Sequence, residues 1–307
     1  MRLARLTADM SNGIIQQTPR RTGNGRRLRV RDDRHRHARL YYRRQVPLIL
    51  LTNDDGIDAV GLPSLADALT RLGRVEVVVP DRERSWVGKA LTRFDAVEVR
   101  RVDVGGRLMH TTTGYPADCV QLGVHMLFDR QPDVVVSGIN VGYNHGTAYL
   151  QSSGTVGAAL EGALAGVPSI AFSMGTSGGD WNTWKLWAES VESISTWERV
   201  AGVATSMVEQ MLTTATPGAL NVGFPDSSDL ATERRVTTVA EAGYDQLFSK
   251  TGTDAYMHTF GGLVETDVDL TGTDVAAAAE RVISISPIGG AGYHEASRHL
   301  AAALLSS

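Results

Sequence analysis

From residue 46 onward, short apolar runs alternate with segments of helical period, and this alternation restricts the possible folds more than any other feature. VPLILLT (46–52) is a run of strand length, apolar on both faces, as a fully buried strand requires. In GLPSLADALTRLG (61–73), Leu62, Leu65, Ala66, Leu69 and Leu72 share one helical face, and Gly73 is a plausible stop. VEVVVPD (75–81) and RLMHTTT (107–113) read as strands, and PADCVQLGVHMLF (116–128) as a helix with Pro116 in its first turn. DVVVSGIN (133–140), GTVGAALEGALAGV (154–167) and PSIAFSM (168–174) continue the rhythm as strand, helix and strand. Strands linked through helices make right-handed crossovers, so an α/β fold with a mostly parallel sheet is expected.

After Met174 the rhythm breaks. GTSGGDWNTWKLW (175–187) reads as a loop, followed by one long amphipathic helix near 188–212 and a strand in NVGFP (221–225). The stretch 226–282 is polar and Thr-rich with alternating Val, which suits an antiparallel extension or a dimerisation arm. ISISPI (283–288) reads as a last strand and HEASRHLAAAL (294–304) as a last helix. The folded domain is therefore expected over 46–307, with its core at about 46–225 and 283–307 and the arm at about 226–282.

Residues 1–45 are a different polymer. They hold 13 Arg and no Lys against Asp9, Asp32 and Asp33, or 13 − 3 = +10, while the whole chain has a net charge of −4. The remainder is therefore −14. No apolar period persists in 1–45, so a disordered basic extension, or translation assigned to an early start codon, is expected. A nucleic-acid arm is disfavoured, because Tyr41 and Tyr42 are the only aromatics there. A single cysteine, Cys119, excludes an intrachain disulfide, and no apolar run reaches membrane-spanning length, so a cytoplasmic protein is expected.

Ligands of open parallel sheets bind beyond the carboxyl ends of the strands, so the residues ending each strand matter most. The first strand runs into Asn53-Asp54-Asp55-Gly56, the second into Pro80-Asp81-Arg82-Glu83-Arg84-Ser85, and DVVV into Ser137-Gly138-Ile139-Asn140. All three supply oxygen donors, which suit a hard cation such as Mg2+, Mn2+ or Ca2+. Two adjacent carboxylates at the end of a buried strand repel each other unless a cation lies between them. A turn with an Asp cap accounts for one of the two acids only. Ser153-Gly154-Thr155 opens the small-residue helix, where free N–H groups and the helix dipole favour an anion such as phosphate, although a simple cap would look the same.

Other motifs fall short. No dinucleotide or P-loop glycine pattern follows the first strand. Gly175-Thr176-Ser177-Gly178-Gly179 matches G-x-S-x-G, but without a helix directly after it Ser177 is a poor esterase nucleophile. Cys119 lies among apolar residues and reads as a core thiol. His110, His125 and His145 are scattered, with only His145 in the site loop. Trp181, Trp184 and Trp187, spaced by three, read as a packing face.

LLTNDDGIDAVGL, VVVPDRERSWVGKALT, TTGYPADCVQLGV, DVVVSGINVGYNHG and SSGTVGAALEGALAGVPSIAFS occur in this order across about 125 residues. Together they closely resemble the SurE family, the survival-protein 5′/3′-nucleotidases. The resemblance implies a Rossmann-like three-layer α/β sandwich with a C-terminal oligomerisation arm, assembled as a homodimer or homotetramer. It implies hydrolysis of nucleoside monophosphates with one divalent cation, Mg2+ or Mn2+, on Asp54, Asp55, Ser85 and Asn140. Asn53, Asn144, Ser153, Gly154 and Thr155 fall where such enzymes surround the phosphate. Asp54, Asp55 and Asn144 are the expected catalytic groups, with either carboxylate able to orient the attacking water. Val60, Tyr115 and Ser152 stand where the family more often has proline, threonine and tyrosine, which bears on substrate preference. A catalytically silent nucleotide-binding regulator on the same fold is the alternative of a different class.

Overall fold

Alternation along one buried strand sets the layers. In β1 (Leu48–Thr52), every residue is buried. Ile49 and Leu51 enter one core with Leu62 and Leu65 of α1 (Gly61–Leu69), whereas Leu50 enters a second core with Cys119 and Val120. A strand buried on both faces needs a helical layer on each side. The first face is covered by α1 and α6 (Ile194–Thr214), centred on the fully buried Trp197. The second is covered by α2 (Pro116–His125) and α4 (Gly154–Leu164).

The computed structural model describes residues 46–176, 178–214, 216–259, 263–264 and 269–290. In its main sheet β2 (Arg74–Pro80), β1, β5 (Val134–Val141), β6 (Ser169–Gly175) and β7 (Ala219–Pro225) are mutually parallel, and β4 (Arg107–Thr112) joins them in parallel on β2. β3 (Val99–Val104) and β13 (Ile283–Ile288) run antiparallel to their inner neighbours, and β8 (Arg234–Val236) pairs with β13. The nine strands lie in the order β3-β4-β2-β1-β5-β6-β7-β13-β8. This is the α/β sandwich with a mostly parallel sheet expected from the alternation, carrying additional C-terminal strands. The described residues all belong to one compact unit that begins at Val46.

Several elements differ from the sequence reading. A helix, α5 (Trp181–Ala188), occupies the stretch expected to be a loop. Asp180 caps it, accepting from the Thr183 N–H and hydroxyl at 2.8 Å each. The expected single helix at 188–212 is interrupted at Ser190, whose hydroxyl caps a 3-10 turn before α6 begins at Ile194. The polar strand β3 and the short α3 (Gly146–Ser152) escaped the pattern because neither carries a regular apolar face. Between 226 and 282 the core takes both ends of the segment, as β8 and α7 (Asp274–Ala279). Between them lie the hairpin β10 (Phe248–Lys250) with β11 (Tyr256–His258), and the pair β9 (Gly243–Tyr244) with β12 (Leu263–Val264). The helix expected at 294–304, and Ser177, lie outside the described residues. Among the described residues, no helix is long and apolar enough to cross a membrane.

Candidate active site

β2, β1 and β5 are adjacent, and the chain order reverses direction across them, with β2 on one side of β1 and β5 on the other. Their carboxyl ends therefore open a crevice at a topological switch point. The loop after β1 is tied in place locally. The Asn53 amide donates to the Gly56 carbonyl at 2.9 Å, and its Oδ1 accepts the Gly56 N–H at 3.1 Å. The loop after β2 is tied to it, since the Arg84 N–H donates to the Asp54 carbonyl at 2.7 Å.

β5 brings Asn140 to the crevice through an irregularity. Its pairing with β6 slips between Ser137 and Asn140, and Gly138 between them has φ +115°. A Cβ at Gly138 would stand 2.2 Å from the Phe172 carbonyl oxygen, so only glycine fits. Such a slip re-aims the residues that follow it, and Asn140 faces the crevice. The Asn140 Nδ2 donates to the Gly142 carbonyl at 2.7 Å. Among the described residues its Oδ1, the atom a cation needs, accepts no hydrogen bond.

The crevice is a cavity of about 380 Å3. Asp54, Asp55, Ser85 and Asn140 all line it, as do Asn144 and Ser153. Asp54 is buried and Asp55 partly buried. The Asp54 Oδ1 accepts from the Thr155 hydroxyl, and the Gly154 and Thr155 N–H groups at the start of α4 also favour its carboxylate. Burial nevertheless holds Asp54 above the ordinary carboxylate value. Asp55 is pushed well above it, first by burial and then by the charge of Asp54, against one hydrogen bond from the Val141 N–H at 3.3 Å. A positive charge placed beside two acids raised in this way would relieve both.

The expected phosphate-contacting residues divide into two groups. Asn144 and Ser153 reach the cavity wall. Asn144 is fixed through its backbone, where the N–H donates to Ser173 Oγ at 3.2 Å and the carbonyl accepts from Asn221 Nδ2 at 2.8 Å. Its own Nδ2 is buried and has no partner among the described residues. Ser153 caps α4, with its Oγ accepting the Val156 N–H at 3.1 Å. Asn53, Gly154 and Thr155 lie behind the wall, the first closing the β1 loop and the other two holding Asp54.

The wall also holds residues that the sequence did not mark as part of a site. Trp86 follows Ser85, Trp181 and Lys185 come from α5, and His258 reaches in from β11. Of the tryptophan triplet, Trp184 packs into the core while Trp181 remains 42% exposed at the cavity. Burial alone would lower the Lys185 ammonium, but Glu189 at 3.3 Å, aided by Glu83 and Asp55, holds it above its ordinary value. His145 stacks on Tyr143 with ring centroids 4.8 Å apart, and burial lowers its pKa to about 4, so it is neutral. Cys119 is a core thiol pushed up to about 12 by burial.

The family model described as "Survival protein SurE" matches residues 49–246, a span that holds the whole cavity except His258. The chain belongs to the SurE family. A "5'-nucleotidase SurE" of Geotalea daltonii is 37% identical over 246 residues, covering 78% of this chain and 92% of that one. One of Pelobacter propionicus is also 37% identical, over 247 residues with the same coverage. The crystal structure of SurE protein from Aquifex aeolicus aligns with TM-score 0.65 and 32% identity, covering 85% of this chain and all of that one.

Proposed function

We propose that this SurE-family chain is a 5′-nucleotidase, hydrolysing nucleoside 5′-monophosphates, and 3′-monophosphates as well, to nucleoside and phosphate. In this reading one divalent cation, Mg2+ or Mn2+, is held by Asp54, Asp55, Ser85 and Asn140. The observation that carries the reading is the pairing of two raised carboxylates with a buried amide donor, Asn144 Nδ2, that has no partner among the described residues, on one wall. The donor set is oxygen-only, as a hard cation requires. When bound, such an ion supplies charge stabilisation for phosphoryl oxygens and lowers the pKa of water.

The chain's own residues do the positioning on which phosphoryl transfer depends. Asn144 Nδ2 donates to an equatorial phosphoryl oxygen, and the Ser153 hydroxyl supplies a second contact. Asp54 or Asp55 is the acceptor that orients the attacking water; as water oxygen bonds to phosphorus and the ester P–O bond breaks, the proton that water gives up passes to the departing ester oxygen, leaving nucleoside and phosphate. Lys185 places a positive charge at the rim for the substrate dianion. Lys185→Ala should raise KM for AMP roughly five- to tenfold with kcat changed less, as loss of a partly exposed charge predicts. The arm exposes Phe248, Tyr256 and Met257, which supports a homodimer or homotetramer, testable by light scattering.

One assay tests the activity: AMP and p-nitrophenyl phosphate with Mn2+ or Mg2+, with and without EDTA. Chelator-sensitive phosphate release is expected, and release insensitive to EDTA would remove the cation from the reading. Binding should also stabilise the fold. At about a hundred times Kd a ligand adds roughly 2.7 kcal/mol. For a domain of this size Mn2+ should raise Tm by about 5–10 °C, reversed by EDTA.

A further inference from the structure

The wall of the cavity next to Ser85 is aromatic and comes from three separate parts of the chain. Trp86 follows Ser85 directly, with φ +62°, a conformation unfavourable for any residue with a Cβ. Strain of this kind persists only where neighbours hold it, and it concentrates at ligand clamps. The neighbours here are rings. Tyr149 of α3 meets the indole edge-to-face at 6.0 Å, Tyr244 of β9 at 5.7 Å, and His258 of β11 lies tilted at 4.7 Å. Trp86, Tyr149 and His258 line the same cavity as Asp54 and Asn140, and the indole remains 39% exposed.

A large indole fixed in orientation beside the acid-lined crevice loses little rotamer freedom when a flat ring stacks on it. Every nucleobase presents such a ring, and base–aromatic stacking is strong and tolerant of base identity. Resting on the nucleotidase reading above, we infer that Trp86, braced by Tyr149 and the arm's Tyr244 and His258, is the stacking platform for the substrate's base. The arm thereby helps to select phosphomonoesters that carry an aromatic ring over those that do not. Trp86 is a specificity-determining residue that adds to the phosphate machinery without belonging to it.

The test is the ratio of kcat/KM for AMP to kcat/KM for ribose 5-phosphate, which keeps the sugar phosphate and lacks the base. Trp86→Ala should lower this ratio about tenfold, and Trp86→Phe, which keeps a ring face, should restore most of it. His258→Ala should lower it about threefold. An unchanged ratio in Trp86→Ala, equal losses on both substrates, or a Trp86→Phe variant no better than Ala would each overturn the stacking platform. An unchanged ratio in His258→Ala would remove the arm from it. Wild-type protein that hydrolyses both substrates keeps these outcomes separate from failure of the nucleotidase reading, which would show as phosphate release from neither.

Discussion

Asp54→Asn should lower kcat/KM for AMP by about a thousandfold, or about 4 kcal/mol of transition-state stabilisation, while leaving the protein folded. Asn has nearly the same volume and keeps an acceptor for the Thr155 hydroxyl, so the contact between β1 and α4 survives. What it removes is one of two charges in a buried site. Without a cation those charges repel, as the raised Asp55 shows, so the apo variant should melt no lower than the apo wild type. The second signature is loss of the Mn2+-induced rise in Tm. Phosphate release and thermal scans with and without Mn2+ read both effects. A variant keeping more than a tenth of wild-type activity would mean that Asp54 does not hold the proposed cation.

The core of this site was legible because its parts sit where strand periodicity ends. LILLT predicts a doubly buried strand, and the acids that follow are conspicuous because nothing apolar accompanies them. Ser85 and Asn140 were reachable by the same rule applied to β2 and β5. The remaining wall was not legible, for a physical reason. Trp181 and Lys185 reach the cavity because Asp180 caps a helix in a stretch whose Gly and Thr content argues for a loop. His258 arrives through a hairpin with exposed residues, and no apolar period marks where such a hairpin docks. The phosphate-like signal in Ser153-Gly154-Thr155 was real as a helix start, yet the sequence could not show where its donors point. In the structure two of its N–H groups and the Thr155 hydroxyl favour the Asp54 carboxylate.

That arrangement makes Gly154→Ala a sharp test of how the helix start and the acid pair depend on each other. An alanine methyl would stand 2.8 Å from Asp54 Cβ, 3.0 Å from Asp54 Oδ2 and 3.1 Å from Pro116 Cγ. Real Cβ atoms essentially never approach other heavy atoms within 3.0 Å, and here the obstacle is the root of a buried side chain. Either Asp54 turns away or the first turn of α4 lifts from β1, and both outcomes displace the carboxylate from Asp55. We expect kcat/KM for AMP to fall about a hundredfold and Mn2+ affinity to fall with it. Stability supplies an independent sign. Where space allows, Gly→Ala in a helix stabilises by up to about 1 kcal/mol, so a neutral contact would raise Tm. Overpacking typically costs about 1–3 kcal/mol, so a fall of several degrees is expected instead. A Gly154→Ala variant with wild-type turnover, unchanged Mn2+ affinity and a higher Tm would show that α4 does not fix the position of Asp54.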